Sequence, residues 1–181
     1  MKNKSIYRST RCMTYAALYL ALAMVLPFLT GQIPEIGSML CPMHIPVLLC
    51  GFVCGWPWGL AVGLISPLLR CVLFGMPKLY PTAIAMTFEL AAYGLVSGAL
   101  YRLLPRRPWS VYVSLIIAMV FGRLVWGAAQ YLLLLANKSS FSSAMFLAGA
   151  VTTAIPGIIL HIVLIPIIVL MLQRAKLVLN G

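Results

Sequence analysis

Long apolar runs with very few charged residues inside them dominate this chain of 181 residues. Hydrophobic residue types make up 63% of the sequence and charged ones 8%, against roughly 25% charged in a soluble domain. So few polar side chains cannot cover a water-facing surface. The chain is therefore predicted to be neither a soluble enzyme, nor a nucleic-acid-binding domain, nor a disordered chain. Its formal charge of +11 is expected to set its orientation in a membrane.

The apolar runs predict an all-α integral membrane protein, with six transmembrane helices in one bundle that fills the single domain 1–181. A spanning helix needs about 20 residues. The second run is shorter, so we expect it to be tilted or partly covered by its neighbours. The last run is too long for one straight span, and its first part is expected to be re-entrant or interfacial. The predicted spans are about 12–30, 44–56, 58–74, 82–104, 109–136 and 143–173.

The basic residues between the runs predict that both termini face the cytoplasm. With the N-terminus inside, nine lysines and arginines lie on the cytoplasmic side, and only Lys78 and Lys138, with Glu35, lie outside. This imbalance follows the positive-inside rule, and an odd number of spans would break the agreement at one end. The nine are Lys2, Lys4, Arg8, Arg11, Arg102, Arg106, Arg107, Arg174 and Lys176.

Small residues recur every four positions, a spacing that lets helix backbones approach closely in a membrane. One series crosses the second and third runs, and a further pair lies in the fourth run. We interpret both as packing seams. Ala17 and Ala21 in the first run share this spacing, and there a docking stripe for another membrane protein is an alternative to ordinary packing. The glycines are Gly51, Gly55, Gly59, Gly63, Gly94 and Gly98.

Three charged residues, Arg70, Glu89 and Arg123, lie inside predicted spans. A charge near the bilayer centre costs about 2.5–3.5 kcal/mol on insertion scales, so such residues face the protein interior and pair, or line a ligand path. A salt bridge from Glu89 to Arg123 or Arg70 that only locks helices is one hypothesis. One acid cannot neutralise two arginines, however. A carboxylate ligand held by an arginine would balance the remaining charge.

A polar pocket is predicted beside the fifth span. Arg123, Trp126 and Gln130 fall on one helical face, and Glu89 and Tyr93 share a face of the fourth span. An arginine, an indole and an amide on one stripe are typical of a ligand-binding wall. The predicted substrate-binding residues are Arg123, Trp126, Gln130, Glu89, Tyr93, Arg70 and His44.

The histidines and cysteines predict no metal site. No C-x-x-C pair occurs, and His44 and His161 are far apart in the chain. His44 is expected to cap the second span or to reach the pocket, and His161 to hydrogen-bond a neighbouring helix. The chain has no GxxxxGK[ST] phosphate loop, no H-E-x-x-H motif and no aspartate. We therefore predict no catalytic residue and no cofactor, and a protein that is not an enzyme.

Two long segments make the chain similar to a known family. Residues 42–70 read PMHIPVLLCGFVCGWPWGLAVGLISPLLR, and residues 75–98 read GMPKLYPTAIAMTFELAAYGLVSG. With six predicted spans, a basic inner side and alanines spaced by four in the first span, the chain resembles the substrate-binding S components of energy-coupling factor (ECF) vitamin transporters. The resemblance covers nearly the whole chain.

The resemblance implies a function and a set of partners. S components sit in the bacterial plasma membrane and bind a vitamin or vitamin precursor near the outer face, with residues of the first outer loop, here 31–43, and of the later helices. They associate with a membrane coupling subunit and two ATP-hydrolysing subunits. The family's AxxxA motif, which contacts the coupling subunit, matches Ala17 and Ala21. ATP hydrolysis in partner chains agrees with the missing phosphate loop.

Pantothenate is the substrate that the pocket residues favour most. It offers one carboxylate to an arginine, and hydroxyls and an amide to Gln130, His44 or Tyr93. Some members of this subgroup resemble pantothenate-specific S components. A pyridoxine-type vitamin, a folate or a queuosine precursor are alternatives. Two other functions also stay open: an autonomous secondary transporter, and a membrane enzyme or assembly factor with a structural ion pair.

Overall fold

The computed structural model describes most of the chain. It gives the backbone of residues 2–30, 39–105, 107–136 and 155–180, and the side chains of 9–29, 39–105, 107–136 and 155–180. Several sequence-based predictions fall outside these residues. They concern Glu35, Arg106, Lys138, the outer loop 31–38, the part 143–154 of the last span, and the side chains of Lys2, Lys4 and Arg8.

Six α-helices make up nearly all of the described chain, which contains no strand. Five of the six are long and apolar enough to cross a membrane, while α2 has only 11 residues. The predicted all-α membrane bundle is thereby confirmed. The helices are α1 (Lys2–Val25), α2 (His44–Cys54), α3 (Trp56–Phe74), α4 (Ile84–Leu103), α5 (Pro108–Ala136) and α6 (Ile155–Arg174). A short 3₁₀ turn, Leu26–Thr30, extends α1, and a π-helical turn, Leu79–Ala83, leads into α4.

The short helix α2 is the centre of the bundle. All 11 of its residues are buried. At a rise of 1.5 Å per residue it is roughly 16 Å long, about half the thickness of a bilayer's hydrocarbon core. Its first residue, His44, lies beside Glu89 of α4, and Gly51 lies beside Gly94 and Gly98 further along α4. Helix α2 therefore runs parallel to α4 and begins at the level of the charged residue inside the bundle.

Glycines allow α2, α3 and α4 to pack backbone against backbone. Gly55, with φ +96°, reverses the chain between α2 and α3, a conformation that favours glycine. A Cβ on Gly94 would lie 2.2 Å from the carbonyl oxygen of Gly59, and one on Gly63 would lie 2.4 Å from that of Leu90. These contacts pair α3 and α4 in antiparallel fashion. The spacing of four residues between glycines therefore marks the seam itself.

The C-terminal segment 175–180 folds back over the end of α2 opposite His44. The backbone N–H groups of Leu179 and Asn180 both donate to the Val53 carbonyl, at 2.8 Å. The Asn180 side-chain amide donates to the carbonyls of Gly51, at 3.2 Å, and Gly98, at 3.0 Å. The last carbonyls of a helix have no partner within the helix. The C-terminal segment supplies those partners to α2 and ties it to α4.

Replacing Asn180 with alanine is expected to destabilise the protein by about 1–3 kcal/mol, because two buried carbonyl contacts lose their donor. Thermal unfolding in detergent measures the loss. Arg174→Ala is the matched control, since Arg174 is exposed at the end of α6. An equal change in both variants would show that Asn180 does not clamp α2.

Candidate functional site

Four helices bring polar side chains together inside the apolar bundle. Helix α2 contributes His44, α4 contributes Glu89 and Tyr93, α5 contributes Arg123, and α6 contributes His161. We call these five residues the polar cluster. Four of the five are no more than 3% exposed, and Arg123 is the most accessible, with 16% of its side chain exposed. The cluster is thus nearly sealed, with one charged group reaching its edge.

The Glu89 carboxylate is the hub of the polar cluster. Its Oε1 accepts a hydrogen bond from the Tyr93 hydroxyl at 3.1 Å and lies 3.0 Å from Nη1 of Arg123. Nε2 of His44 approaches the same oxygen at 3.4 Å. Partners from three helices stabilise a carboxylate that would otherwise be very costly to bury. The predicted pairing of Glu89 with Arg123 is therefore present.

Helix α5 approaches α4 closely enough for Arg123 to reach Glu89 because Gly122 has no side chain. A Cβ there would lie 2.3 Å from Cε1 of Tyr93. The Tyr93 ring therefore packs directly on the α5 backbone, with its hydroxyl turned to Glu89. This contact fixes both the phenol and the neighbouring guanidinium.

The two histidines form the α2–α6 side of the polar cluster. Their rings are nearly parallel, with centroids 6.0 Å apart and an interplanar angle of 24°. The ring of His44 also meets Tyr93 edge to face at 5.2 Å. His161 lies within hydrogen-bonding reach of the Cys41 backbone. The pairing of His44 and His161, far apart in the sequence, is a consequence of the central position of α2.

The loop before α2 covers the polar cluster. Nη2 of Arg123 donates to Sγ of Cys41 at 3.7 Å, and the Cys41 carbonyl accepts the backbone N–H of His44 at 3.0 Å. Burial raises the pKa of the Cys41 thiol, so its sulfur stays neutral. Gly157 of α6 lets the loop pack tightly, since a Cβ there would lie 2.5 Å from the Met39 carbonyl oxygen.

Cys41 is the site residue that the sequence did not indicate. It lies between two apolar runs and carries no charge. Its place three residues before His44 was the only available hint, because a loop that leads into a buried helix must itself enter the bundle.

Several polar atoms around the polar cluster have no hydrogen-bond partner among the described residues. They are both ring nitrogens of His44, Nε of Arg123, Nε2 of His161 and Oε1 of Gln130, all inaccessible to solvent in the protein alone. Buried polar groups are nearly always paired, with protein, ordered water or ligand. Among the described residues, these unpaired atoms of both donor and acceptor type are the polar groups of the cluster that remain available to a further partner.

Trp126 and Gln130 extend this polar face along α5. Both are half-buried, and both lie on the side of the helix that carries Arg123. Trp126 lies about one helical turn beyond Arg123 along α5, and Gln130 lies about two turns beyond it. They form a continuation of the cluster rather than part of its hub.

Arg70 lies apart from the polar cluster. Its Nη1 donates to the Met24 carbonyl at 2.8 Å, near the end of α1. Its guanidinium stacks near the rings of Phe28 and Phe74, with centroid distances of 5.4 and 5.3 Å. Cation–π contacts and a helix-terminal carbonyl thus hold this arginine. The hypothesis of a Glu89–Arg70 bridge is wrong for this structure. The positive charge of Arg70, which Glu89 does not balance, lies between the rings of two phenylalanines.

Replacing Arg70 with methionine is expected to cost about 1.5–3 kcal/mol of stability, because the charged donor to Met24 is lost. Chemical unfolding in detergent measures this, with Lys78→Met as the control, since Lys78 is an exposed cation that follows α3. Equal stability of the two variants would contradict a locking role for Arg70.

The predicted docking alanines lie on the outside of the bundle. Ala17 and Ala21 are exposed on α1, whereas Ala16, Tyr19 and Ala23 on the other face are buried in the core. The four-residue spacing therefore presents a shallow stripe to the membrane. No packing partner within the described chain covers it.

A comparison with protein families decides what kind of molecule carries this site. Residues 11–169 match the model of the family described as ECF transporter, substrate-specific component. The match covers most of the chain. The chain belongs to this family of substrate-specific ECF components. It matches no curated protein and no solved structure.

Membership makes the chain a substrate-binding component of an ECF transporter in a membrane. The polar cluster suits that role, because it combines a charge pair, two imidazoles and a phenol in a nearly sealed interior. Within the described ranges, no three His, Cys, Asp or Glu side chains are arranged to hold a metal ion.

Proposed function

We propose that the protein captures a vitamin or vitamin precursor from outside the cell and binds it at the polar cluster and along the polar face of α5. The observation that carries this proposal is the set of unpaired buried atoms on His44, Arg123, His161 and Gln130. A pocket with few convergent polar groups in an apolar, preformed cavity is typical of small-molecule sites. Trp126 would provide an aromatic wall.

The ligand would enter from the side of the loop before α2. With the N-terminus in the cytoplasm, α1 ends at the outer surface, and the loop that contains Cys41 lies between its end and the polar cluster. Arg123, the most exposed cluster member, contacts this loop. Movement of the loop would open the cluster to the outside while the α2–α3–α4 seam stays closed.

Energy for release would come from partner chains. We propose that Ala17 and Ala21 dock the substrate-specific component on the ECF membrane subunit, which binds two ATPase subunits in the bacterial plasma membrane. An exposed stripe of small residues lets a second helix approach closely. The family of the chain and the exposure of this stripe support the proposal.

Pantothenate is the substrate that we propose first. Its carboxylate can accept from the unpaired Nε of Arg123, and its hydroxyls and amide can meet His161 and Gln130. Because Arg70 lies elsewhere, the cluster carries one positive charge that is already shared with Glu89. A net-neutral pyridoxine-type vitamin is consequently the second compound to test.

Ligand-induced thermal shift tests the proposed function. Saturation at 100 times the dissociation constant stabilises a protein by about 2.7 kcal/mol, which is readily visible in unfolding curves. The purified protein is screened in detergent against pantothenate, pyridoxine, folate and queuosine precursors. We expect a clear increase in melting temperature with one of them.

Gln130→Leu is the variant that ties such a shift to the site. Its amide oxygen has no partner to lose among the described residues, so the fold is expected to be retained. The shift should fall strongly in this variant and stay unchanged in Arg102→Ala, an exposed arginine at the opposite end of α4. A shift that is the same in both variants would place the ligand away from the α5 face.

A further inference from the structure

The polar cluster contains unpaired acceptors on more than one helix. Neither ring nitrogen of His44 has a hydrogen bond, but Nε2 lies 3.4 Å from the Glu89 carboxylate, which accepts only, so in the neutral imidazole the proton belongs on Nε2 and Nδ1 keeps a lone pair. His161 interacts with the Cys41 backbone through its other nitrogen, since Nε2 has no partner. Because the only backbone acceptor is a carbonyl, that other nitrogen is the donor and Nε2 is again an acceptor.

Gln130 adds a third acceptor, its Oε1. The donors that accompany these three acceptors belong to Arg123, whose Nε has no partner and whose Nη1 and Nη2 each carry a second N–H besides the one directed at Glu89 or Cys41. A ligand that satisfies the three acceptors brings hydroxyl or N–H donors. A ligand that is rich in acceptors would leave the imidazole nitrogens unpaired.

Charge leads to the same conclusion. Glu89 and Arg123 already form a pair 3.0 Å apart in a nearly sealed interior. The other buried arginine, Arg70, is held by Met24, Phe28 and Phe74. A ligand carboxylate beside Arg123 would therefore stand close to the Glu89 carboxylate in a medium that screens weakly. Its attraction to Arg123 would be largely offset by this repulsion.

From this accounting, we propose that the ligand's hydroxyl or N–H donors, received by His44, His161 and Gln130, carry recognition, and that a ligand carboxylate contributes little. This inference rests on the proposed function and adds the chemical class of the ligand: a donor-rich molecule, neutral or with its charge near the exposed edge. The two nearly parallel imidazoles, 6.0 Å apart, would bind neighbouring donors of one molecule.

Matched compounds test the proposal. The pantothenate set contains pantothenate, panthenol, which has a hydroxymethyl group in place of the carboxylate, and an analogue that lacks the hydroxyl beside the amide. The pyridoxine set contains pyridoxine, 4-deoxypyridoxine and 4-pyridoxic acid. Dissociation constants are obtained from thermal shifts over a concentration series. For the set that binds, we expect the presence or absence of the carboxylate to change the dissociation constant less than threefold. Loss of the hydroxyl is expected to raise the dissociation constant at least tenfold.

Two variants test whether acceptors on the protein cause the loss of affinity that follows removal of the ligand hydroxyl. In His161→Phe, which keeps a ring of similar shape, the parent compound and its deoxy analogue should bind with nearly equal, reduced affinity. Gln130→Leu serves the same purpose if His161→Phe does not give a folded protein, as judged by its elution as a single monodisperse peak.

The outcomes separate the inference from the proposed function. Binding that needs the carboxylate but not the hydroxyl would overturn the inference and leave vitamin capture intact. If only the pyridoxine set binds, with a small effect of the carboxylate and a large effect of the hydroxyl, the inference is supported and pantothenate is rejected. If the protein is folded and no compound raises its melting temperature, the proposed substrates and the inference are both rejected.

Discussion

Replacing Arg123 with alanine will destabilise the protein by about 3–5 kcal/mol, the usual cost of removing one partner of a buried ion pair. Glu89 is 1% exposed, and among the described residues it keeps only the Tyr93 hydroxyl and a histidine nitrogen nearby when the guanidinium is removed. Neither neutralises a carboxylate as an arginine does. Denaturant unfolding in detergent, followed by the fluorescence of the tryptophans, measures the loss.

Two further variants separate charge burial from simple side-chain loss. The double variant Glu89→Gln with Arg123→Gln removes both charges and should recover most of the stability, since a buried pair gains little over neutral groups of similar size. Arg102→Ala, at the exposed end of α4, should change stability by less than about 0.5 kcal/mol. If Arg123→Ala were as stable as Arg102→Ala, the ion pair would not exist in the folded protein.

A single methyl group on Gly94 is expected to cost about 4 kcal/mol or more, above the usual range for overpacking, because it meets backbone that cannot rotate away. The added Cβ would lie 2.2 Å from the oxygen and 2.3 Å from the carbonyl carbon of Gly59. Helices α3 and α4 would have to separate along their whole seam. The yield of monodisperse protein and its melting temperature measure the effect of Gly94→Ala.

Gly75→Ala is the control for this substitution. A Cβ on Gly75 meets no atom within 4 Å, and its φ of +69° alone predicts a cost of about 1–2 kcal/mol. The difference between the two variants therefore reports on the helix seam rather than on the general cost of losing a glycine. Similar losses in both would show that α3 and α4 do not approach as closely as described.

The sequence predicted those features of the fold and the site that a single stretch of residues determines in a membrane. Apolar runs predicted the helices, and Glu89 and Arg123 stood out because charge inside a span has to be paired or used. The four-residue spacing of glycines indicated the seam, since only small residues permit such contact. Each of these features has a local cause that a single stretch of sequence displays.

Features that depend on how helices pair in space were not predictable. Arg70 carried the same charge as Arg123, and although Phe74 lies one turn away on the same helix, nothing in the sequence showed that Met24 and Phe28 would also contact it. The stacking of His44 on His161 follows from the depth at which α2 begins. That depth is set by contacts of α2 with α4 and with the C-terminal segment.

Helix α2 connects the polar cluster to the C-terminal segment. Its first residue belongs to the polar cluster, and its last carbonyls are held by Leu179 and Asn180. Because α2 is fully buried and only 11 residues long, it can shift only as a unit with its neighbours. The position of His44 in the site thus depends on the seam and on the C-terminal segment.

Ligand binding by the double variant Gln130→Leu with His161→Phe, which removes two of the unpaired acceptors, tests the central claim most directly. The claim is that the polar cluster holds the transported molecule. The measurement is the melting temperature of folded wild-type and variant protein with and without the vitamin that stabilises the wild type. We predict a variant that remains folded and shows no ligand-induced shift. A shift equal to that of the wild type would contradict the account and would leave the polar cluster a purely structural lock.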